Sequence, residues 1–235
     1  MPPKLETARL KHWLAWIIGL SAVFCSLVLA RVDLDRMQML ALQRYGQQGA
    51  ETVSQWRLMI ENIQDLDDEQ KLDQVNRFFN SVMRWRSDDE IWGKADYWAT
   101  PLESMGRELG DCEDFSIAKY ITLLLAGVDI NKLRITYVKA QMGGPYSKIF
   151  DAHMVLAYYK QPNADPQILD NIIDEIRLGS QREDLKPVFG FNSQGLWIQG
   201  ASTPSLQDPG ARLSRWRNVL RRMAADGLGY MPTTE

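Results

Sequence analysis

The chain has 235 residues, enough after an apolar leader for one domain of about 200 residues with its own core. Its 27 basic and 30 acidic side chains leave a net charge of -3, which argues against a nucleic-acid partner. Apolar and charged contents are those of an ordinary globular protein, and eight tryptophans suit a core or a binding cleft.

The first segment reads as an export signal. Lys4, Arg9 and Lys11 precede an uncharged stretch from Trp13 to Ala30. That stretch nears the length of a spanning helix, so residues 1–34 are either a signal peptide cleaved after Ala30 or an inner-membrane anchor. Cys25 follows Ala22-Val23-Phe24, a poor lipobox. Residues 35–235 form the folded domain. Over 35–66, Met37, Leu40, Tyr45, Val53, Trp56, Ile60 and Ile63 recur at helical spacing, with Gly46 and Gly49 as weak points. A second helix covers 69–85. Residues 87–99 read as a loop carrying Trp92, Tyr97 and Trp98. Thr100, Pro101 and Glu103 spell a capping box with proline at the first helical position.

A further helix begins near Cys112 and ends at Ala126-Gly127. Its apolar residues wrap most of its circumference, the mark of a buried central helix. The period then changes to two. Strands are expected over 133–140, 152–159 and 167–171, with a hairpin of 187–191 and 196–198 around Asn192-Ser193-Gln194-Gly195. A last amphipathic helix over 210–225 buries Leu213, Trp216, Leu220 and Met223. Helices followed by an antiparallel sheet make an α+β layout.

The chain has two cysteines and two histidines. Cys25 and His12 fall in the leader, so any Cys-His chemistry of the mature protein must use Cys112 and His153. A thiol at a helix start is helped to ionise by the free N–H groups there, and the same groups can hold an oxyanion. His153 lies on a strand and can take the thiol proton. Asp170 follows in order, where a neighbouring antiparallel strand can set it beside the imidazole. Tyr97 or Trp98 is a candidate second oxyanion donor. Trp92 and Trp98 are candidate cleft walls, and Trp92 is also a candidate anchor for a partner. Asp111, Glu113 and Asp114 crowd charge around a thiol that must ionise. Their oxygens either stabilise the helix start or hold a hard cation, Ca²⁺ rather than Zn²⁺.

Gly110-Asp-Cys-Glu-Asp114, Leu133-Arg-Ile-Thr-Tyr-Val-Lys-Ala140, Ala152-His-Met-Val-Leu156 and Ile168-Leu-Asp-Asn171 together resemble the bacterial transglutaminase-like cysteine proteinases, the LapG family. Trp98-Ala-Thr-Pro-Leu-Glu103 and Leu185-Lys-Pro-Val188 extend the likeness over nearly all of the chain after the leader. The resemblance implies a papain-like, transglutaminase-type core. It implies a periplasmic endopeptidase whose Cys-His-Asp triad falls on Cys112, His153 and Asp170, with Ca²⁺ on Asp111, Glu113 and Asp114. It implies a substrate, a large repeat-containing surface adhesin cut near paired alanines, whose release disperses biofilm. It also implies inhibition by an inner-membrane cyclic-di-GMP receptor of the LapD type. Acyl transfer with the same triad, or a non-catalytic periplasmic binding module, are the alternatives that the residues leave open.

Overall fold

A computed structural model of the chain describes residues 32–198, 204 and 213–229. Among these are six α-helices: α1 Leu34–Ile63, α2 Asp68–Val82, α3 Asp88–Trp92, α4 Pro101–Arg107, α5 Cys112–Leu125 and α6 Ser214–Ala225. The strands are β1 Arg84–Trp85, β2 Leu109–Gly110, β3 Leu133–Met142, β4 Ile149–Tyr158, β5 Gln167–Leu169, β6 Arg177–Leu178, β7 Leu185–Phe191 and β8 Leu196–Ile198. The leader expected over 1–34 falls almost wholly outside the described residues, as does the start of the last helix, expected over 210–225. No helix among the described residues is long and apolar enough to cross a membrane.

β3 to β8 form one antiparallel sheet in the order β6-β5-β4-β3-β7-β8. Side chains alternate across it, as the pleat requires. Leu133, Ile135, Met154, Leu156, Tyr158, Leu169 and Phe191 join the main core with α5. Val138, Val155, Ala157 and Ile168 form a smaller apolar cluster on the opposite face. The helix α5 is therefore central, as its apolar circumference predicts: it packs on β4 and β3 and is backed by α2 and α4. Pro187 lies beyond the three residues of β7, Phe189, Gly190 and Phe191, that pair with β8 among the described residues. The register with β3 shifts at the same place, between Tyr137 and Val138.

The helices start where their caps lie. Asp67 and Gln70 cap α2 reciprocally, and Thr100 and Glu103 do the same for α4, the latter alone being expected from the sequence. Gly46 (φ 71°) interrupts α1, fulfilling its reading as a weak point. Two features differ from expectation. The stretch 87–99 is not all loop: Ser87 and Glu90 make a third capping box, and Gly93 in the left-handed region closes a single turn, α3. Trp85 does not end α2 but sits in β1, which pairs in parallel with β2 just before Cys112. The last helix buries Trp216, Val219 and Met223, while Leu213 and Leu220 are only partly covered.

Candidate active site

The β1–β2 pair delivers the chain to the start of α5. Arg86 N–H donates to Gly110 O at 3.1 Å, holding Gly110 against the preceding segment. A Cβ at Gly110 would sit 2.7 Å from Met83 Cε and 2.8 Å from Asp114 Cβ, so only glycine permits this approach. Asp111 is then the N-cap residue and Cys112 the first helical residue. Ser116 Oγ donates to Cys112 O at 2.9 Å or to Met154 O at 3.1 Å, so one hydroxyl ties the first turn of α5 to β4.

His153 lies mid-strand in β4, opposite Val138 of β3. The strand expected over 152–159, with His153 near its start, is longer than expected, and the hairpin carries β4 back to Ile149. Leu156 pairs with Leu169, so Asp170, one residue past β5, comes diagonally beside His153. The Asp170 Oδ1 lies 2.8 Å from His153 Nε2. It also accepts the N–H groups of Asn171 at 2.7 Å and Ile172 at 3.1 Å. Burial pushes the Asp170 carboxyl up, but His153, the Ile172 N–H and Arg182 outweigh that, holding it well below the usual carboxylate range. An ionised carboxylate only accepts, so His153 Nε2 must carry the hydrogen and Nδ1 is left for another partner.

Cys112 and His153 line one cleft of about 700 Å³, together with Trp85, Asp88, Ala140, Met142, Asp151 and Ile172. A cavity of about 800 Å³ between α2 and β5–β6 is larger, yet contains neither cysteine nor histidine. The aromatic wall of the cleft is Trp85, 54% exposed, and not Trp92 or Trp98 as expected. Trp98 is buried and stacks on Phe191, with ring centroids 5.8 Å apart. Trp92 is half-buried, folded back between Tyr97 and the Arg107 guanidinium. The Tyr97 hydroxyl is taken by Glu103 and Arg222, and neither Tyr97 nor Trp98 lines the cleft, so neither supplies the second oxyanion donor.

The acidic cluster is larger than the sequence motif. Oxygens of Asp88, Asp111 and Asp114 lie within 4.8 Å of one another, as do those of Asp88, Asp96 and Glu113. Asp88 comes from α3, and the acid run Asp88-Asp89-Glu90 is its signal in the sequence. Asp88 Oδ1, Asp111 Oδ1 and Asp114 Oδ2 are buried without a hydrogen-bond partner. Burial, then the neighbouring acids, pushes Asp88 up to about 6 and Asp111 to about 10, while burial raises Asp114 well above its usual value. Orphaned, crowded carboxylate oxygens with no soft donor beyond Cys112 fit a hard divalent cation such as Ca²⁺. The thiol shares this environment. Cys112 Sγ lies 3.0 Å from Glu113 Oε2, and burial, then Glu113 and Asp111, pushes its pKa up.

The family model described as bacterial transglutaminase-like cysteine proteinase, BTLCP, matches residues 42–184. Solved structures of Legionella pneumophila LapG align over 82% of this chain at 35% identity. The chain belongs to the bacterial transglutaminase-like cysteine proteinases. The EGTA-treated LapG is covered over 98% of its length with a TM-score of 0.71, and the calcium-bound LapG over 99% with 0.69. Among curated proteins none matches. The mixed helix-and-sheet layout expected from the sequence is therefore the LapG fold. Membership of this cysteine proteinase family makes a thiol nucleophile its expected chemistry. The calcium-bound and EGTA-treated relatives accord with the acidic cluster beside Cys112.

Proposed function

We propose that this protein is a calcium-dependent cysteine endopeptidase in which Cys112, His153 and Asp170 act as a triad. The observation that carries the reading is the His153–Asp170 pair at 2.8 Å, with His153 on the wall of the same cleft as Cys112 at the start of α5. His153 Nδ1 takes the thiol proton while Asp170 holds Nε2–H and steadies the imidazolium. The thiolate of Cys112 attacks the scissile carbonyl, and the Cys112 N–H at the helix start receives the developing oxyanion. His153 returns its proton to the leaving amine, and water then releases the acyl group by the same proton route.

Asp88, Asp111, Glu113 and Asp114 would hold Ca²⁺, which supplies positive charge at the helix start. Asp111 and Asp114 flank the nucleophile on either side, so fixing their carboxylates also fixes the Cys112 N–H. The cleft walls are small at Ala140 and Ala152 and apolar at Trp85, Met142 and Ile172, which suits small substrate side chains.

The substrate we propose is the N-terminal region of a large repeat-containing surface adhesin, cut near paired alanines. Its release would promote biofilm dispersal. The proposed location is the periplasm, reached through the N-terminal segment as a signal or anchor. The proposed regulator is an inhibitory inner-membrane cyclic-di-GMP receptor of the LapD type. These proposals rest on the family likeness and the cleft chemistry. The test is incubation of the purified protein with the N-terminal segment of a large adhesin from the same genome, with and without EGTA. Cleavage that needs Cys112 and stops in EGTA is expected. Cleavage by Cys112→Ala protein would overturn the reading.

A further inference from the structure

Asp170 is 1% exposed, and its two carboxylate oxygens face different partners. Oδ1 serves His153 and the turn N–H groups, whereas Oδ2 accepts from Arg182 Nη2 at 2.8 Å. Arg182 is itself 2% exposed and follows the single turn Gly179–Gln181. Its guanidinium is braced from the other side by Asp184, through Nε at 2.9 Å and Nη2 at 2.8 Å. Two further buried or half-buried donors approach Asp170 from the helices. Lys119 of α5 and Asn80 of α2 reach its main-chain carbonyl, at 3.0 and 2.9 Å, and leave the carboxylate untouched. Asp174, from the same loop as Asp170, is bound by Asn80 and gives the carboxylate no positive charge. Among the described residues, Arg182 is thus the one permanent cation hydrogen-bonded to the carboxylate that orients His153.

We propose that Arg182 is a positioning residue of the His153–Asp170 pair: braced by Asp184, it fixes the carboxylate so that His153 keeps its hydrogen on Nε2 and offers Nδ1 to Cys112. The inference rests on the thiol–imidazole reading above. Without the guanidinium, a buried oxygen of Asp170 loses its partner, and the carboxylate gains reason to turn or take up a proton. A protonated Asp170 can donate as well as accept, so the imidazole tautomer is no longer dictated.

The test uses the full chain loaded with calcium and needs no adhesin. The first readout is the rate of Cys112 alkylation by iodoacetamide. In this step the thiolate carbon–sulfur bond forms as iodide leaves, and the thiol proton passes to His153. Mass spectrometry separates Cys112 from Cys25. The second readout is the nitrogen-bound proton of His153 in ¹⁵N-histidine-labelled protein. The chain has two histidines, and a His12→Gln background leaves a single one.

In Arg182→Met the Nε2 proton should lose its exchange protection and alkylation should slow by about tenfold or more, because a mispositioned base forfeits much of its contribution. Arg182→Lys should keep both readouts, since an ammonium can still reach Oδ2. Unchanged proton and rate in Arg182→Met would overturn the inference. So would either readout moving without the other, in the Met or the Lys variant; if Arg182→Met does not fold, Arg182→Gln takes its place, with the same loss of protection and slowing expected and unchanged readouts overturning the inference. His153→Ala provides the separate control. If it alkylates at the wild-type rate, the thiol–imidazole reading fails, whatever Arg182 does.

Discussion

At the residue scale, the site is a set of groups whose charges are set by their partners rather than by their type. Asp170 is an ionised acid in the interior because His153, two N–H groups and Arg182 face it. Replacing it with Asn should keep the shape but let the imidazole hold its hydrogen on either nitrogen. Turnover on the adhesin segment should then fall on the order of 10²-fold or more; near-normal turnover would show that another group orients His153. Lys119 is the opposite case. It is buried, bonded to Asn76 Oδ1 at 2.8 Å and to the Asp170 carbonyl, and burial brings its pKa down to about 7. The unfolded chain therefore holds a proton between about pH 7 and 10.5 that the folded chain does not. Stability from this residue must rise with pH across that window, with a slope of at most about 1.4 kcal/mol per pH unit. Urea unfolding at pH 7 and pH 9 should show a smaller rise for Lys119→Met than for the wild type. An equal rise in both proteins would mean that Lys119 titrates normally. The candidates Cys112, His153 and Asp170 were legible in the sequence because cysteine and histidine are rare in this chain and the aspartate follows them in order. Arg182 was not, because one arginine among many has no local signature and its role depends on a loop returning under β5.

At the scale of elements, the start of α5 is the functional unit. Gly110 allows the close approach, β1 and β2 fix the entry, and α3 brings Asp88 to the three acids of the motif. Calcium binding to the folded chain alone should raise its thermal midpoint, and EGTA should lower it, together with activity. Asp88→Ala should reproduce much of the EGTA effect although it lies far from Cys112 in sequence. Calorimetric titration with Ca²⁺ decides: full affinity in Asp88→Ala removes α3 from the site, and full activity of the wild type in EGTA removes the calcium requirement. Mg²⁺ should substitute poorly, since it keeps its waters and prefers a tighter octahedron. The helices of this fold were readable from their caps and periodicity. What escaped reading were the elements too short to have a period: α3, β1, β2 and β6 span two to five residues each. Such pieces owe their conformation to neighbours. β1 has a partner only because α4 returns the chain to β2, and β6 only because the loop after Asp170 folds back along β5.

At the scale of the whole molecule, the last helix ties together segments distant in sequence. Arg222 of α6 bonds Glu103, the Tyr97 hydroxyl and the Trp98 carbonyl, so the last helix grips the segment that leads into α4. Trp216 adds edge-on contacts to Phe191 at 5.5 Å and Tyr120 at 5.9 Å, joining α6 to β7 and α5. Removing the grip with Arg222→Ala leaves the part-buried Glu103 carboxylate with the Tyr97 hydroxyl and the Thr100 N–H but without its cation, and takes the guanidinium from the Trp98 carbonyl. It should cost about 2 kcal/mol or more, measured by urea unfolding. A loss under about 0.5 kcal/mol would show that the buried residues of α6 and its C-terminal bonds hold the helix without Arg222.

The same last helix ends beside the first. Val32 pairs with Leu228, Asp33 N–H donates to Gly227 O at 2.7 Å, Arg36 Nε donates to Ala225 O at 3.0 Å, and Arg44 pairs with Asp226. The order in which the chain visits its elements is therefore not fixed by the architecture. A circular permutant that joins Gly229 to Val32 through a short glycine-rich link should fold to the same sheet, with new ends opened between Pro162 and Asn163 in an exposed turn.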